Sequence, residues 1–359
     1  MTGVDAGPPL KVALVGYGFA GRVFHAPLLS RVAGLHLHTV VSSDAGKVHA
    51  DLADVRVLGR PEAAFADDAI DLVVIATPND SHAPLARAAL DAGRNVVVDK
   101  PFTTTLAEAR GLAALAHARG RLLSVFHNRR WDSDYLAVTR AIADGLVGEV
   151  VHFESHFDRF RPQVRARWRE QAGPGGGLWR DLGPHLVDQA LQLFGLPDSV
   201  QASFAAQRDG AHAVDWAHVV LAWGRRRAVL HGAMLVAGGG ARFTVHGSRG
   251  SLVKPRIDQQ EAQLLRGVRP GDAGWGEDDD ATLLYAGGDA TPVALPTPAG
   301  DQRAYYAAVR DALLGRGDNP VTPLQAIAVM AVLEAAEASA REERALPLPL
   351  SDAERAGWR

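Results

Sequence analysis

The sequence predicts an α/β protein in two parts: an N-terminal doubly wound parallel sheet, then an α+β domain on a large, mostly antiparallel open sheet. Three observations predict it. Through residue 126, short and almost wholly apolar runs alternate with alanine-rich stretches of helical length. A glycine-rich turn follows the first of those runs. After residue 127 the rhythm changes to apolar runs separated by short Gly-rich or charged turns, with little between them.

The first rhythm comprises runs at 11–15, 35–41, 55–58, 71–76, 95–98 and 122–126. Their near-continuous apolar character is that of parallel strands covered on both faces. Helices are expected over 83–92 and 106–119, stopped near Gly93 and Gly120, where a residue free to turn left-handed ends a helix. Strand–helix alternation of this kind gives a doubly wound sheet. The second rhythm has a helix expected over 133–144, then runs at 150–157, 200–206, 217–223, 228–236, 242–246 and 251–253. Links as short as Gly224-Arg225-Arg226-Arg227 favour antiparallel pairing. Residues 266–280 read as a loop, and late helices are expected near 302–314 and 323–341, packing back on the first domain. The expected domains are 1–126, which binds a dinucleotide, and 127–359, which binds substrate and assembles subunits.

Composition narrows the function classes. The 359 residues are 47% hydrophobic and 22% charged, ordinary for a globular enzyme with a large core. There is no cysteine, which excludes disulfides, thiolate metal sites and cysteine nucleophiles and fits a reducing, cytoplasmic setting. A net charge of −3 offers no general attraction to nucleic acid or an anionic membrane. The first ten residues lack the basic and apolar regions of an export signal. No uninterrupted apolar run approaches the ~18 residues of a membrane span; the best, 326–333, stops at Glu334.

The turn Gly16-Tyr17-Gly18-Phe19-Ala20-Gly21 lies between a strand and a helix, the context in which G-x-G-x-x-G holds a pyrophosphate. Gly16 allows the tight turn, Gly18 lets backbone approach the phosphates, and Gly21 lets helix and strand pack closely. The helix start, Phe19 and Ala20 included, then offers free N–H groups. The second strand ends in Ser42-Ser43-Asp44, where an NAD site usually places a carboxylate on the ribose 2′-hydroxyl. Ser42 and Ser43 would instead donate to a 2′-phosphate, with Lys47 adding positive charge, so NADP is favoured over NAD. The other reading is that Asp44 does the NAD task, or caps the next helix. Thr77, Pro78, Asn79 and His82 after the fourth strand, and Asp99, Lys100 and Pro101 after the fifth, occupy the strand ends where a dinucleotide collects.

Lys100 is a cation placed to stabilise a developing alkoxide or polarise a carbonyl; its bland alternative is a surface lysine. Asp181 and His185 follow Gly175-Gly176-Gly177, glycines expected to allow close approach of a ligand; the pair are four apart and share a face if the segment is helical, although Pro184 warns that a helix starts only there. Histidine suits removal of a hydroxyl proton near neutrality; the alternative is a buried structural histidine. Spacing fixes no third ligand beside this pair, so no metal is expected. Asn128 and Arg129 follow the last strand of the first domain. Arg159 and Trp168 lie on an Arg- and Trp-rich loop whose guanidiniums donate to hydroxyls and whose indole covers C–H faces, as a polyhydroxylated ligand requires.

On these segments the chain resembles the glucose–fructose oxidoreductase / inositol dehydrogenase / MocA (Gfo/Idh/MocA) family over nearly its whole length. Gly16–Gly21 matches the family's dinucleotide turn, Asp99-Lys100-Pro101 its E-K-P signature with Asp for Glu, and Asp181…His185 its D-x-x-x-H pair. Within the family it looks most like the NADP-dependent scyllo-inositol dehydrogenases, through residues 16–28, 125–132, 159–169 and 181–189. The resemblance implies hydride transfer between NAD(P) and a secondary hydroxyl or ketone of an inositol or sugar. Lys100 would touch nicotinamide ribose and substrate, His185 would be the acid/base with Asp181 assisting, and the open sheet would pair subunits into homodimers or homotetramers. Those relatives often carry arginine at the place of Ser43, a departure that weakens the NADP expectation. A reductase of a keto-sugar or anhydro-keto-sugar is the neighbouring alternative. A non-catalytic dinucleotide-binding regulator is the alternative from another class, disfavoured by the retention of both Lys100 and His185.

Overall fold

The computed structural model describes residues 7–165, 170, 173, 175–288 and 291–358. Contacts divide it into two units. The first takes the chain up to Asn128 and also Gln260–Trp275 and Asp301–Ala326; the second takes Arg129–Gln259, Gly276–Gly300 and the chain from Ile327. The chain thus returns twice to the first unit beyond residue 127, where the sequence gives no composition break to mark it.

In the first unit, six parallel strands stand in the order β3-β2-β1-β4-β5-β6, with β1 Leu10–Val15, β2 Leu35–Val41, β3 Arg56–Leu58, β4 Leu72–Ile75, β5 Asn95–Val98 and β6 Leu123–Val125. The central strands are sealed on both faces: Val12, Ala13 and Leu14 of β1 and all of β4 are buried. The strand order reverses between β1 and β4, which opens a crevice beyond their carboxyl ends. Register aligns those ends: Val15 pairs with Val41 and with Ile75, Ile75 with Val98, and Val98 with Val125. The residues that follow, Gly16, Ser42, Ala76, Asp99 and Phe126, therefore lie along one edge. Helix Leu106–Arg119 shows local chemistry fixing its own bounds. Thr105 and Glu108 form a reciprocal capping box at its start, and Gly120 at φ +60° ends it.

The second unit is an eight-stranded sheet of order β14-β13-β12-β11-β7-β10-β9-β8, antiparallel except for the pair β7–β10. Its strands are β7 Val150–Asp158, β8 Ser199–Ala205, β9 Trp216–Trp223, β10 Arg226–Ala233, β11 Phe243–Gly247, β12 Gly250–Lys254, β13 Thr282–Ala286 and β14 Val293–Leu295. Alternation along β7 defines two faces: Phe153, Ser155 and Phe157 are buried, whereas His152, Glu154, His156 and Asp158 stand on the other side. The 18-residue helix Gly177–Phe194 packs on the first of these faces, so closely that a Cβ at Gly232 of β10 would come 2.8 Å from Leu178 Cδ2. Arg242 is buried under this face, donating to Asp134, Ser155 and Gln189 and lying over the Phe157 and Phe243 rings.

Four differences from the sequence reading have local causes. Helix Gly177–Phe194 starts seven residues before Pro184 and runs through it. Proline at that position forfeits a hydrogen bond at a cost of ~3 kcal/mol, which burial of Leu182, Leu186, Val187, Ala190 and Leu191 offsets. Strands β13 and β14 are short edge elements without an apolar run long enough to stand out. The loop expected over 266–280 is preceded by a one-and-a-half-turn helix, Gln260–Leu265. Helix Pro323–Glu342 is long and apolar enough to cross a bilayer, yet its residues 326–333 are core residues of the fold, and Leu333 O accepts from Trp179 Nε1 at 3.3 Å.

Candidate active site

The glycine turn occupies the crevice at the end of β1, and its three glycines are required for different reasons. Gly16 has φ +99° and sits so close to β4 that a Cβ would come 2.5 Å from Ala76 O. At Gly21 a Cβ would lie 2.1 Å from Gly16 O, so only hydrogen fits where the helix crosses the strand. A Cβ at Gly18 would meet nothing within 4 Å. This glycine leaves space rather than relieving a protein contact, which is what close approach of a pyrophosphate needs. The helix opens with a π-helical turn, Gly21–His25, before Ala26–Leu29; Phe19 projects into solvent and Ala20 is part-exposed. The residues thus fit a dinucleotide.

At the end of β2, Asp44 caps helix Ala45–Asp51, its Oδ1 accepting from Lys47 N at 2.9 Å. That outcome matches the capping alternative and engages one carboxylate oxygen. Ser42 Oγ accepts from Asp44 N at 3.1 Å, Ser43 is exposed, and Lys47 Nζ donates to Tyr17 O at 3.0 Å, tying this turn to the glycine turn. Beside it a cleft of about 650 Å³ opens between Tyr17, Arg22, Arg31 and Asp51 and the segment from Leu264 to Pro270. Arg22 grips Asp51 with two hydrogen bonds, 2.6 and 3.0 Å, and Tyr17 Oη donates to the same carboxylate at 3.2 Å. Burial, then Asp51, pushes the Tyr17 hydroxyl up to about 12.

After β4, Thr77 and Pro78 reach the surface, whereas Asn79 is buried. His82, expected to touch cofactor, has no exposed surface. Its Nδ1 lies 2.9 Å from Pro101 O and its Nε2 3.0 Å from Thr77 O, so it sits between the two strand-end turns instead and donates to one of them. Burial lowers its proton affinity.

After β5, Asp99 is also turned inward: its Oδ1 accepts from Lys100 N at 2.7 Å, and His25 Nε2 lies 3.8 Å from it. Burial opposes its ionisation, but His25, Lys100 and His82 together hold the carboxyl down at about 2. His25 Nδ1 is in turn 2.5 Å from Tyr306 Oη. Asp99 therefore anchors the segment instead of meeting a ligand directly. Lys100, partly exposed, precedes Pro101 through a cis peptide bond. Asn128, expected at the ligand, is 5% exposed and donates to Gln302 Oε1 at 2.9 Å.

In the second unit, Asp181 and His185 lie one turn apart on helix Gly177–Phe194, so the D-x-x-x-H pair does share a helical face. His185 is 6% exposed and packs toward Phe157, centroids 6.2 Å apart. Asp181 lines a small cavity with Arg208, Asp215 and Glu170. Arg129 lies over the same Phe157 ring, 5.1 Å from its centroid, with Nη1 donating to Asp132 Oδ2 at 2.9 Å. Expected as a substrate contact, it is buried and braces the chain around the Phe157–His185 packing. Arg159, part-exposed, begins the loop after β7, its N donating to Ala233 O. Trp168 lies outside the described residues. The expectation that Gly175–Gly177 admits a ligand is corrected at Gly177. Its φ is +84°, and a Cβ there would come 3.3 Å from Val214 O, so the space it leaves is filled by the protein's own backbone.

The sequence reading missed His25, Tyr306, Arg22, Asp51 and Gln302. His25 falls inside the diagnostic stretch 16–28, but its partner Tyr306 is 281 residues away, and no local pattern links them.

Comparison with known proteins agrees with this geometry. Residues 10–127 match the model of an oxidoreductase family's NAD-binding Rossmann fold, and residues 139–350 match that family's C-terminal alpha/beta domain. The chain is 53% identical over 341 residues to the oxidoreductase YdgJ of Escherichia coli (strain K12), covering 94% of this chain and 99% of that one. It is 36% identical over 343 residues to scyllo-inositol 2-dehydrogenase (NADP(+)) IolW of Bacillus subtilis (strain 168), covering 94% and 96%. A crystal structure of an oxidoreductase from Klebsiella pneumoniae superposes with a TM-score of 0.92 at 58% identity, covering 97% of each chain. With the six-stranded Rossmann sheet, the large mostly antiparallel second sheet and both family domains in place, the chain belongs to the Gfo/Idh/MocA family of oxidoreductases.

Proposed function

We propose that the protein is an NADP-dependent dehydrogenase acting on a secondary hydroxyl of an inositol or related cyclic polyol, in the manner of the Bacillus subtilis relative's named activity. The observation that carries the reading is His185, one helical turn from Asp181 on a helix packed against Phe157. The glycine turn with open space at Gly18 supports the dinucleotide, and exposed Ser43 with Lys47 beside it favours a 2′-phosphate. A nicotinamide bound there supplies or accepts hydride.

The protein's own part is to bind, orient and move a proton. In the oxidative direction the His185 imidazole takes the hydroxyl proton, and in the reductive direction it returns it, the general acid–base role to which an imidazole is suited. Asp181 orients the imidazole or holds a neighbouring hydroxyl. The Lys100 ammonium, at the strand ends of the first unit, is a positive group of the kind that stabilises an alkoxide as it forms. Asp99, ionised and buried beside His25, holds Lys100 at its backbone.

The test is a screen of NADP and NAD against stereoisomeric inositols and hexoses, read by absorbance of the reduced cofactor. Turnover with at least one cyclic polyol is expected, with His185→Ala lowering kcat by about 10²–10⁴-fold while dinucleotide binding is kept. A flat trace with every polyol, and with every keto-sugar in the reverse direction, would refute the assignment.

A further inference from the structure

The face of the eight-stranded sheet opposite helix Gly177–Phe194 carries a second cluster of chemistry-bearing side chains, independent of the dehydrogenase reading. Along β7, the sequence His152-x-Glu154-x-His156-x-Asp158 places four titratable groups on this one face. Register sets His231 of β10 beside His156, and His218 of β9 beside His231. The buried neighbours Phe157 and Gly232 point the other way, toward the helix that bears Asp181 and His185.

We propose that His156, Asp158 and His231 form a binding site for a divalent transition cation of the zinc type. One ligand atom from each lies within 4.8 Å of the others. His156 Nδ1 stands 3.3 Å from Asp158 Oδ2, and His231 Nε2 stands 3.6 Å from Asp158 Oδ1. Nitrogen and oxygen ligands at about 2.0–2.1 Å from a tetrahedral zinc are roughly 3.3–3.5 Å apart, close to each of these two separations, which engage the two oxygens of the one Asp158 carboxylate. At 3.6 Å the His231–Asp158 contact is too long for a hydrogen bond. The Asp158 side chain is 6% exposed, and its Oδ1 is buried with no hydrogen-bond partner among the described residues. A carboxylate oxygen buried in that condition and facing an imidazole nitrogen is suited to a cation.

Two further features fit. Glu154 Oε2 lies 3.1 Å from His156 Nε2, and Glu154 Oε1 lies 2.8 Å from His152 Nε2. A carboxylate accepting from Nε2–H fixes the tautomer that leaves Nδ1 free of its proton and able to ligate, the usual arrangement behind a metal-bound histidine. Over the cluster, the glycine loop 238–240 has no side chain: a Cβ at Gly240 would come 3.0 Å from Asp158 Oδ2 and 3.6 Å from His156 Nδ1. Three N/O ligands suit zinc among the common cations and leave its fourth position to water.

The test uses full-length, untagged protein treated with chelator and then titrated with Co²⁺, read by visible absorption, and with Zn²⁺, read by calorimetry. One equivalent per chain is expected. Asp158→Asn and His231→Ala should each weaken binding at least tenfold while circular dichroism shows a folded protein, and Glu154→Gln should weaken it by about tenfold through the orienting hydrogen bond. His218→Ala, whose ring lies 5.6 Å from that of His231 but outside the triad, should bind as the unsubstituted protein does. Absence of saturable binding, or binding unaffected by both Asp158→Asn and His231→Ala, would overturn the proposal.

Discussion

The two units of this chain both place a glycine run beside their candidate chemistry, and the runs do opposite things. In the parallel-sheet unit, Gly18 leaves open space at the strand ends, with nothing within 4 Å of where a Cβ would be. In the second unit, Gly177 leaves space that Val214 backbone fills, and the Leu178 N–H donates to Val214 O at 2.7 Å. One run leaves open space and the other seats a helix. The candidate residues of the first unit therefore rest on backbone, at strand ends brought into line by register. Those of the second rest on side chains held by buried charge, with Arg242 joining Asp134, Ser155 and Gln189.

Substitutions can break that contrast. The largest effect is expected at Arg242→Met, which removes a guanidinium from a site where Asp134 is wholly buried. Losing one partner of a buried pair costs about 3–5 kcal/mol, so chemical denaturation should show a loss of that order. A loss under ~1 kcal/mol would mean the second unit does not rest on its buried charges. Next comes Gly21→Ala in the first unit. A methyl 2.1 Å from a backbone oxygen cannot be relieved by a rotamer change, and forced overpacking costs about 1–3 kcal/mol. A value near the upper end is expected, with a lower thermal midpoint as the readout. Unchanged stability would show that the helix and β1 are free to separate.

How much of this could be seen in the sequence follows the same divide. The apolar runs of the parallel sheet, the glycine turn and the helix Leu106–Arg119 with its capping box are local patterns, and local patterns can be read. Lys100, Asp181 and His185 could be named because their residue types and spacing imply chemistry. Gln302 holding Asn128, Tyr306 backing His25, and the burial of His82 depend on contacts across 174, 281 and 19 residues, which no window reveals. Helix Gly177–Phe194 was obscured by Pro184 because tertiary packing overrode a local penalty.

The first unit is not wholly a backbone device, and Asp99 measures by how much. Its carboxyl is held at about 2, below the ordinary 3.8. As pH falls, the unfolded chain takes up this proton before the folded protein does. The group's stabilisation is therefore complete above about pH 4 and is lost as pH falls toward 2, with a full size of about 2 kcal/mol. Asp99→Asn should lower stability near neutrality by about that amount and flatten the acid limb of the stability profile between pH 4 and 2. If the variant keeps the full acid slope, another carboxylate carries it.

The smallest change in stability, and the most informative, is expected at Gly18→Val. A side chain there meets no protein atom, so the folded state should change by no more than about 0.5 kcal/mol, the size of an ordinary surface substitution. The same side chain occupies the space left for the pyrophosphate, so dinucleotide affinity should fall at least about tenfold, which is about 1.4 kcal/mol. Thermal denaturation with and without NADP measures both terms on one sample. The cofactor-induced shift of the midpoint should shrink sharply, whereas the midpoint without cofactor should hardly move. Gly177→Ala should give the reverse, a lower midpoint with the cofactor shift retained, because its methyl would press on Val214 and not on a ligand. If both variants lose stability and both keep the shift, the open space at Gly18 is not where the phosphates bind, and the contrast between the two glycine runs fails.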